Sequence, residues 1–192
     1  GAIGDPQAVP ALIQALGDNR SWDSKYVRRA AAGALGAIGD PQAVPALIQA
    51  LGDSYSDVRR AAAAALGKLG DPQAVPALSV WAHAEEDAAR NALQTLGHPA
   101  LDLPQAVAQV AAQGAWGVLI RSLPNEEVRK AVVELGAPAV PALIQALGDD
   151  WYDVRRAAAE ALGAIGDPQA VPALIQALGD WNWDVRRAAA EA

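Results

Sequence analysis

Four copies of one heptapeptide constrain this chain more than any other feature. Gly-Asp-Pro-Gln-Ala-Val-Pro begins at Gly4, Gly39, Gly70 and Gly166. A second signature, Val-Arg-Arg-Ala-Ala, begins at Val27, Val58, Val154 and Val185. The first two copies of the second signature are 31 residues apart, and so are the last two. A fixed period of this length indicates an array of stacked helical units rather than a fold around one centre.

The unit that begins at Gly39 shows how one period specifies its first helix, helix A. Asp40 is expected to cap the helix and Pro41 to occupy its first position. Pro45 falls near the fifth position, where it should bend the first turn. Gly52 is expected to end the helix. The apolar residues between recur with helical spacing and predict a buried stripe: Val44, Leu47, Ile48 and Leu51.

The second half of the unit predicts helix B. Ser54 and Asp57 have the spacing of a capping box at its start, with aspartate in the place of glutamate. The residues expected on its inner face are Val58, Ala62, Ala65, Leu66 and Leu69. The prolines expected to begin six successive A helices are Pro6, Pro41, Pro72, Pro104, Pro138 and Pro168.

These features together resemble a known repeat family. A helix pair of 31 residues, with proline in helix A, Asp-Val-Arg at the start of helix B and Leu-Gly-x-Ile-Gly at its end, resembles the HEAT-like repeats named after phycobilisome lyases. It is similar also to artificial scaffolds made from a consensus of that family. The resemblance is close over residues 1–79 and 137–192 and weak between them.

The resemblance implies an all-α fold, a right-handed α-solenoid of about six HEAT-like helix pairs. We expect a single domain over residues 1–192, irregular at 79–136. Such repeats are specific for fold and say little about function, so function has to be argued from individual residues.

Composition removes several classes of function. The chain has no cysteine, which excludes disulfides and thiolate metal sites, and its net charge of −7 argues against nucleic acid as the main partner. No apolar run is long enough for a membrane span, and no signal peptide is visible. We therefore expect a cytoplasmic protein that needs no cofactor.

Variation between the units is concentrated just before helix B. The three positions that precede Asp57, Asp153 and Asp184 read Ser-Tyr-Ser, Asp-Trp-Tyr and Trp-Asn-Trp. The first unit has a longer loop at this point. The aromatic residues of these loops are Trp22, Tyr26, Tyr55, Trp151, Tyr152, Trp181 and Trp183.

A core position should hold the same residue in every copy, whereas these positions exchange serine for tryptophan. Exposed Trp and Tyr are favoured in binding hot spots, so the seven aromatic residues are predicted to bind a partner. We expect them along one edge of the solenoid, with at least half substantially exposed. The alternative is that each ring covers the neighbouring unit.

Arginines follow the apolar valine in pairs. The first of each pair stands where HEAT-like families use arginine to bridge adjacent units through carboxylates and carbonyls: Arg28, Arg59, Arg155 and Arg186. The second is expected on a solvated face, paired with loop aspartates: Arg29, Arg60, Arg156 and Arg187. A basic strip that binds an acidic partner is the alternative for this second set.

The irregular centre holds the chain's two histidines, His83 and His98. The acidic residues near them are Glu85, Glu86, Asp87 and Asp102. Some HEAT-like hydroxylases hold two irons with His-Glu pairs, but here no histidine is followed by glutamate and only two histidines exist. We therefore predict no metal site. Trp81 and Trp116 are expected to fill space where the unit length changes.

The sequence contains no Ser-His-Asp set and no glycine-rich phosphate loop, so we predict that the protein is not an enzyme. The leading hypothesis is a protein–protein interaction scaffold that binds a peptide or protein through its concave B-helix face and aromatic loops. The family resemblance implies an alternative, a bilin lyase-like subunit or enzyme regulator.

A structural or designed module that assembles end to end is a third hypothesis, because stacked units leave apolar residues at their two outer faces. The residues expected to be exposed in this way are Val9, Leu12, Ile13 and Leu16 at one end and Val185 at the other.

Overall fold

The computed structural model describes residues 5–18, 23–84 and 87–192, and within these ranges every regular element is helical. The α-helices are α1 (Val9–Leu16), α2 (Ser24–Ile38), α3 (Val44–Ala50), α4 (Ser56–Leu69), α5 (Val75–His83), α6 (Asp87–Leu96), α7 (Leu103–Ala112), α8 (Trp116–Ser122), α9 (Glu126–Glu134), α10 (Val140–Ala146), α11 (Tyr152–Ile165), α12 (Val171–Ala177) and α13 (Trp183–Glu191). Short 3-10 turns precede five of them: Pro6–Ala8, Pro41–Ala43, Pro72–Ala74, Ala137–Ala139 and Pro168–Ala170. The predicted fold class, an all-α solenoid of helix pairs, is confirmed.

Helix A begins in two stages, which explains its two prolines. Asp40 caps the first stage, because its Oδ1 accepts the N–H of Gln42 at 2.9 Å, and Pro41 opens a 3-10 turn. The α-helix proper begins at Val44, so Pro45 lies in its first turn. A proline there removes no helical hydrogen bond, since the first N–H groups of a helix have no partner within it. At the predicted bend the backbone thus changes from 3-10 to α-helical geometry.

Helix B begins differently from the prediction. Tyr55, not Ser54, is the N-cap residue of α4, and it makes no side-chain cap bond, so the predicted capping box with Asp57 is wrong. Asp53 Oδ1 instead accepts the N–H of Tyr55 at 2.8 Å. Arg59 Nη1 donates to the carbonyl oxygens of Asp53 and Ser54 at 3.0 and 3.2 Å. The Asp53 turn therefore fixes the chain at the start of α4, and Arg59 binds two carbonyl oxygens of the same segment.

The chain forms two compact units, Gly1–Val118 and Leu119–Ala192. In the first, the B helices α2, α4 and α6 pack in succession, and in the second α9, α11 and α13 do so. The predicted inner face of α4 is confirmed, since Val58, Ala62, Ala65 and Leu66 are buried and Leu69 is half-buried. The single domain over residues 1–192 stays a prediction.

Neighbouring B helices touch through backbone. A Cβ built on Gly36 of α2 would lie 2.7 Å from the Cβ of Ala65 in α4. In the second unit, a Cβ on Gly163 of α11 would lie 2.6 Å from the Cβ of Ala192, directly after α13. No side chain fits at that distance, so these glycines set how closely successive B helices approach.

The segment predicted to be irregular, 79–136, contains one added helix. Arg129 at the start of α9 donates to the carbonyl oxygen of Leu123 at 3.0 Å, six residues before it. Arg155 makes the same bond to Asp149 at 2.7 Å. This repeat-specific bond identifies α8 and α9 as the fourth helix pair. The prediction that Pro104 begins the fourth helix A is therefore wrong, because Pro104 lies in α7, which is the added helix.

The added helix α7 packs against α5 in the opposite direction. Leu101, just before α7, donates its N–H to Ser79 Oγ at 2.9 Å. Gln113, just after α7, donates from Nε2 to the carbonyl oxygen of Gln73, which precedes α5, at 3.2 Å. Residues Val75 to Ala82 of α5 are consequently all buried.

None of the helices in the described ranges is long and apolar enough to span a lipid bilayer.

Candidate partner-binding loops

We use the term A–B loops for the segments that join helix A to helix B in three regular units: residues 51–55, 147–151 and 178–182. They contain or directly precede five of the seven aromatic residues singled out in the sequence, while Tyr26 lies in the first turn of α2. An arginine from the preceding unit binds an aspartate of each of these loops.

Two of the predicted arginine bridges are confirmed in the same form. Arg28 donates from Nε to Asp53 Oδ2 at 2.6 Å and from Nη2 to Asp53 Oδ1 at 3.1 Å. Arg155 binds Asp180 in the same way, at 2.7 and 3.0 Å. All four side chains are almost fully buried. Two parallel charge-assisted hydrogen bonds fix both distance and orientation between successive units.

A third bridge was missed by the sequence. Arg121 Nη1 and Nη2 donate to the two carboxylate oxygens of Asp149 at 3.2 and 2.9 Å. Arg121 lies in α8, outside the Val-Arg-Arg signature, so the motif alone could not find it. Asp149 was the available signal, since it follows Leu-Gly as Asp53 and Asp180 do.

The other two arginines of the set have different partners. The Arg59 guanidinium lies 5.0 Å from the centre of the Trp81 ring, in a cation–π contact. Ala84 stands one period after Asp53, at the position of the bridging aspartate, and the carboxylate bridge predicted for Arg59 stays a prediction. Arg186 Nη1 donates to the carbonyl oxygens of Asp180 and Trp181 at 2.8 and 3.1 Å, the carbonyl part of the prediction.

Each bridging aspartate also holds its own loop. Asp180 Oδ1, bound by Arg155, accepts the N–H of Asn182 at 2.8 Å. Asp149 Oδ1 accepts the N–H of Trp151 at 2.9 Å in the same way. Such an aspartate turn fixes the backbone two residues ahead. The bridge therefore positions the loop that carries the aromatic rings.

The charge on Asp180 is stabilised by these contacts. Hydrogen bonds from Arg155 hold the pKa of the Asp180 carboxyl below its usual value, and the N–H of Asn182 acts in the same direction. Partial burial opposes them. The carboxylate thus stays ionised at neutral pH, as the bridge requires.

The described aromatic residues of the loops are all exposed. The exposed fraction is 75% for Trp181, 59% for Trp183 and 52% for Trp151, and Tyr26, Tyr55 and Tyr152 are exposed as well. Trp22 lies outside the described residues. The prediction that at least half of the set is exposed is confirmed, whereas their alignment along one edge stays a prediction.

The rings also cover part of the bridges. The Arg155 guanidinium lies 5.1 Å from the centre of the Trp181 ring, and the Arg28 guanidinium lies 5.7 Å from that of Tyr55. One side of each ring faces an arginine while much of the ring remains accessible. The covering role proposed as the alternative is therefore real but partial.

The second arginine of each pair belongs to a solvated face. The structure pairs three of them with the aspartate three residues earlier: Arg60 with Asp57 at 3.2 Å, Arg156 with Asp153 at 3.7 Å and Arg187 with Asp184 at 3.6 Å. Arg29 is exposed. Exposed pairs of this kind contribute little to stability.

The central residues divide between core and surface. Trp81 is buried as predicted, and Trp116 is half-buried. His83 and His98 line one groove. Glu85 and Glu86 lie outside the described residues, and among the residues the structure describes no three His, Asp or Glu side chains are placed to hold a metal ion.

The outer faces differ from the prediction. Val9, Leu16 and Val185 are buried, because α1 packs on α2 and α13 packs on α11, while Leu12 and Ile13 are half-buried. The exposed aliphatic residues of the last unit lie instead on α12 and directly after it: Val171, Ile175 and Leu178.

The sequence also matches models of known protein families. The model of HEAT repeats matches residues 20–97 and 82–192. The chain belongs to the HEAT-repeat family. The model of the PBS lyase HEAT-like repeat matches residues 1–18 in addition. No curated protein matches the sequence.

Solved structures with a similar course of the chain include natural and engineered proteins. Human deoxyhypusine hydroxylase in complex with glycerol is 23% identical, with 97% of this chain and 83% of that chain covered and a TM-score of 0.41. The CpcE–CpcF complex of phycocyanin lyase from Nostoc sp. is 30% identical, with 98% and 64% covered and a TM-score of 0.39. An engineered protein is 21% identical, with 96% and 94% covered and a TM-score of 0.38.

Proposed function

We propose that this HEAT-repeat chain is a non-catalytic scaffold that binds a protein or peptide through its aromatic A–B loops and the adjoining B-helix surface. The observation that carries the proposal is the exposure of Trp151, Trp181 and Trp183 on loops whose backbone is held in place. Trp and Tyr are the residues most enriched among those that dominate binding energy.

Fixed loops make the exposed rings more effective. Binding costs entropy when loops and side chains become ordered, and a loop that is already ordered avoids that cost. Asp149 and Asp180 each anchor a loop from within and are themselves anchored by Arg121 and Arg155. The aromatic rings are thus presented on a frame that is ordered before a partner arrives.

The pattern of variation also favours binding over catalysis. Serine in the second unit occupies the two positions that hold Trp181 and Trp183 in the last unit, while the bridging aspartates and arginines of these junctions are kept. Exchange of surface residues on a constant frame alters which partner fits. A catalytic site would instead need acid, base or nucleophile at fixed positions.

The test is selection of peptides that bind the purified chain, followed by affinity measurement with a variant that replaces Trp151, Trp181 and Trp183 by serine, the residue that the second unit has at the positions of Trp181 and Trp183. We expect the variant to bind at least about tenfold more weakly, since one hot-spot residue contributes about 2 kcal/mol or more. Ile175→Ser is the matched control, because Ile175 is equally exposed but lies outside the loops.

Unchanged affinity of the triple variant, or an equal loss in Ile175→Ser, would contradict the proposal. A parallel titration with a bilin, followed by absorbance, tests the lyase-like alternative. Bilin binding that depends on the same three tryptophans would replace the protein-binding proposal.

We propose end-to-end self-association as a second property of the 192-residue chain. Val171 and Ile175 of α12 and Leu178 directly after it are exposed, whereas their counterparts in and directly after α3 are buried: Val44, Ile48 and Leu51. Inside the array, the unit that follows α3 opens with the same heptapeptide that begins at Gly4. The first unit of a second copy therefore has the residues that suit this face, in a heterologous contact.

Sedimentation equilibrium at several protein concentrations tests this second proposal. We expect association that Ile175→Lys weakens and that Trp181→Ser leaves unchanged. A mass that is that of the monomer at every concentration would refute it.

A further inference from the structure

A groove of about 420 Å³ lies where α5, α6 and the segment 97–101 meet. Its polar lining comes from His83, Arg90, Gln94 and His98, and its apolar lining includes Leu93 and Ala82. Both histidines of the chain are therefore brought together with an arginine and an amide. All of these residues belong to the first compact unit.

The groove exists because the chain departs from the repeat at this point. In the regular units the glycine that ends helix B is followed at once by Asp-Pro, but Gly97 is followed by His98 and a longer segment. That segment crosses the end of α5, where the N–H of Leu101 bonds Ser79 Oγ at 2.9 Å. The His98 N–H donates to the carbonyl oxygen of Leu93 at 3.1 Å and fixes the other wall.

Two of the polar side chains, Arg90 and His83, are held by hydrogen bonds. Arg90, Gln94 and His98 follow one another at intervals of four residues, which places them on one side of α6 and its end. Arg90 donates from Nη1 to Asp87 Oδ1 at 2.8 Å and from Nη2 to the carbonyl oxygen of Ala82 at 3.1 Å. His83 Nε2 donates to the carbonyl oxygen of Leu101 at 2.9 Å.

The lining supplies hydrogen-bond donors and positive charge. An arginine guanidinium carries five N–H groups in a planar fork that matches the oxygens of carboxylate and phosphate, and the two bonds above engage two of them. A glutamine amide and the imidazole of His98 add further donors, while the N–H of His83 Nε2 is used by Leu101. Among the described residues that line the groove none carries a carboxylate, and Asp87, which is not one of them, pairs with Arg90.

We propose that this groove binds the carboxylate or phosphate group of a small molecule. Its volume falls within the range of small-molecule sites, about 300–1,000 Å³, and its apolar wall accommodates a short carbon chain. The site is independent of the aromatic loops, so it adds a ligand to the proposed scaffold and does not depend on that proposal.

The experiment is an NMR titration of the isotope-labelled full chain with succinate, inorganic phosphate and the neutral succinamide. We expect saturable shifts of the His83 and His98 signals with at least one of the two anions and none with succinamide. The anion that binds more tightly shows whether the groove prefers a carboxylate or a phosphate group. Arg90→Gln should raise the Kd about tenfold, because a hydrogen bond to a charged group contributes about 1.5–3 kcal/mol.

Arg60→Gln is the matched control. Arg60 pairs with Asp57 three residues earlier, as Arg90 pairs with Asp87, and lies on the exposed side of α4 away from the groove. Gln94→Glu is a second variant, which places a negative charge on the exposed wall and should abolish anion binding. Shifts with succinamide, equal weakening by Arg60→Gln, or no saturable shift with either anion would each overturn the proposal.

Discussion

Two junctions of the chain use the same arginine of the repeat in different ways. Arg155 is buried and binds both carboxylate oxygens of Asp180, at 2.7 and 3.0 Å. Arg59 is half-buried and occupies the same position of the Val-Arg-Arg signature, and its guanidinium lies 5.0 Å from the centre of the Trp81 ring. Both arginines also donate to carbonyl oxygens at the end of the preceding helix A. The arginine is therefore the constant element, and the contact that it makes with the next unit differs between the two junctions.

The two junctions differ at two positions of the next unit. One period apart, Ala84 corresponds to the aspartate, and Trp81 corresponds to an alanine in the other units. The desolvation cost of a nearly buried ion pair offsets much of its Coulomb attraction, and a cation–π contact contributes about 0.5–2 kcal/mol. The comparison teaches that the same arginine position can contact an aromatic ring of the next unit where the position of the bridging aspartate holds alanine.

The largest expected effect is at the aromatic junction. Trp81→Ala should lower the free energy of unfolding by about 3–5 kcal/mol, because it empties a fully packed site and removes the ring beneath Arg59. Chemical denaturation measures this change. A loss below about 1 kcal/mol would show that the ring is not a structural partner of the arginine.

The double variant Trp81→Ala, Ala84→Asp converts this junction to the other type. We expect the added aspartate to recover part of the lost stability, since it restores the carboxylate one period after Asp53. Ala84→Asp alone is the control and should give no such gain. Equal effects of Ala84→Asp in both backgrounds would contradict the idea that the two solutions exchange.

The next effect concerns the carboxylate junction. Asp180→Ala should cost about 3 kcal/mol, because it leaves the buried Arg155 without its charge partner. Asp150→Ala is the control, since Asp150 is exposed in the preceding A–B loop and should change stability by less than about 0.5 kcal/mol. Equal costs for the two substitutions would show that the bridge has no special role.

A smaller effect on the free energy of unfolding is expected when the pH is lowered. The folded pKa of Asp180 is lowered, so its contribution to stability is fully present above the unfolded pKa of about 3.9 and is lost as pH falls through the folded value. Asp180→Asn should therefore flatten the dependence of unfolding free energy on pH below about 4. An unchanged slope would show that the Asp180 carboxyl has the same pKa in the folded and the unfolded protein.

The smallest effect distinguishes two tryptophans. Trp181→Ala should change stability by less than about 1 kcal/mol, because the ring is mostly exposed and only its contact with Arg155 is lost. Thermal and chemical unfolding of this variant beside Trp81→Ala gives the comparison directly. A cost similar to that of Trp81→Ala would assign Trp181 to the core and remove it from the candidate surface.

Much of this frame could be predicted from the sequence because its signals are local. The cap at Asp40, the apolar stripe of helix A and the exposure of the loop aromatics follow from spacing and from comparison of the copies. The arginine bridges required the family resemblance in addition. The resemblance did not indicate the ring contact of Arg59, because Trp81 lies in another unit.

The added helix and the groove could not be predicted in the same way. Asp102 and Pro104 give the start signals of an ordinary helix A, and nothing local distinguishes α7 from one. The position of α7 beside α5 depends on the hydrogen bond from the Leu101 N–H to Ser79 Oγ, two residues that are 22 positions apart in the sequence. That same crossing brings His83 to His98, so the two histidines were noticed in the sequence but their arginine neighbour was not.

The contacts of Gly36 with Ala65 and of Gly163 with Ala192 have a further consequence for how new surfaces arise. The distance between neighbouring B helices is set there by a hydrogen atom in place of a side chain, so it does not readjust when a residue of an A–B loop changes. Loop sequences can therefore be recombined among units or randomised while the frame stays as it is. A single gene of this kind is a ready starting point for a library of binders.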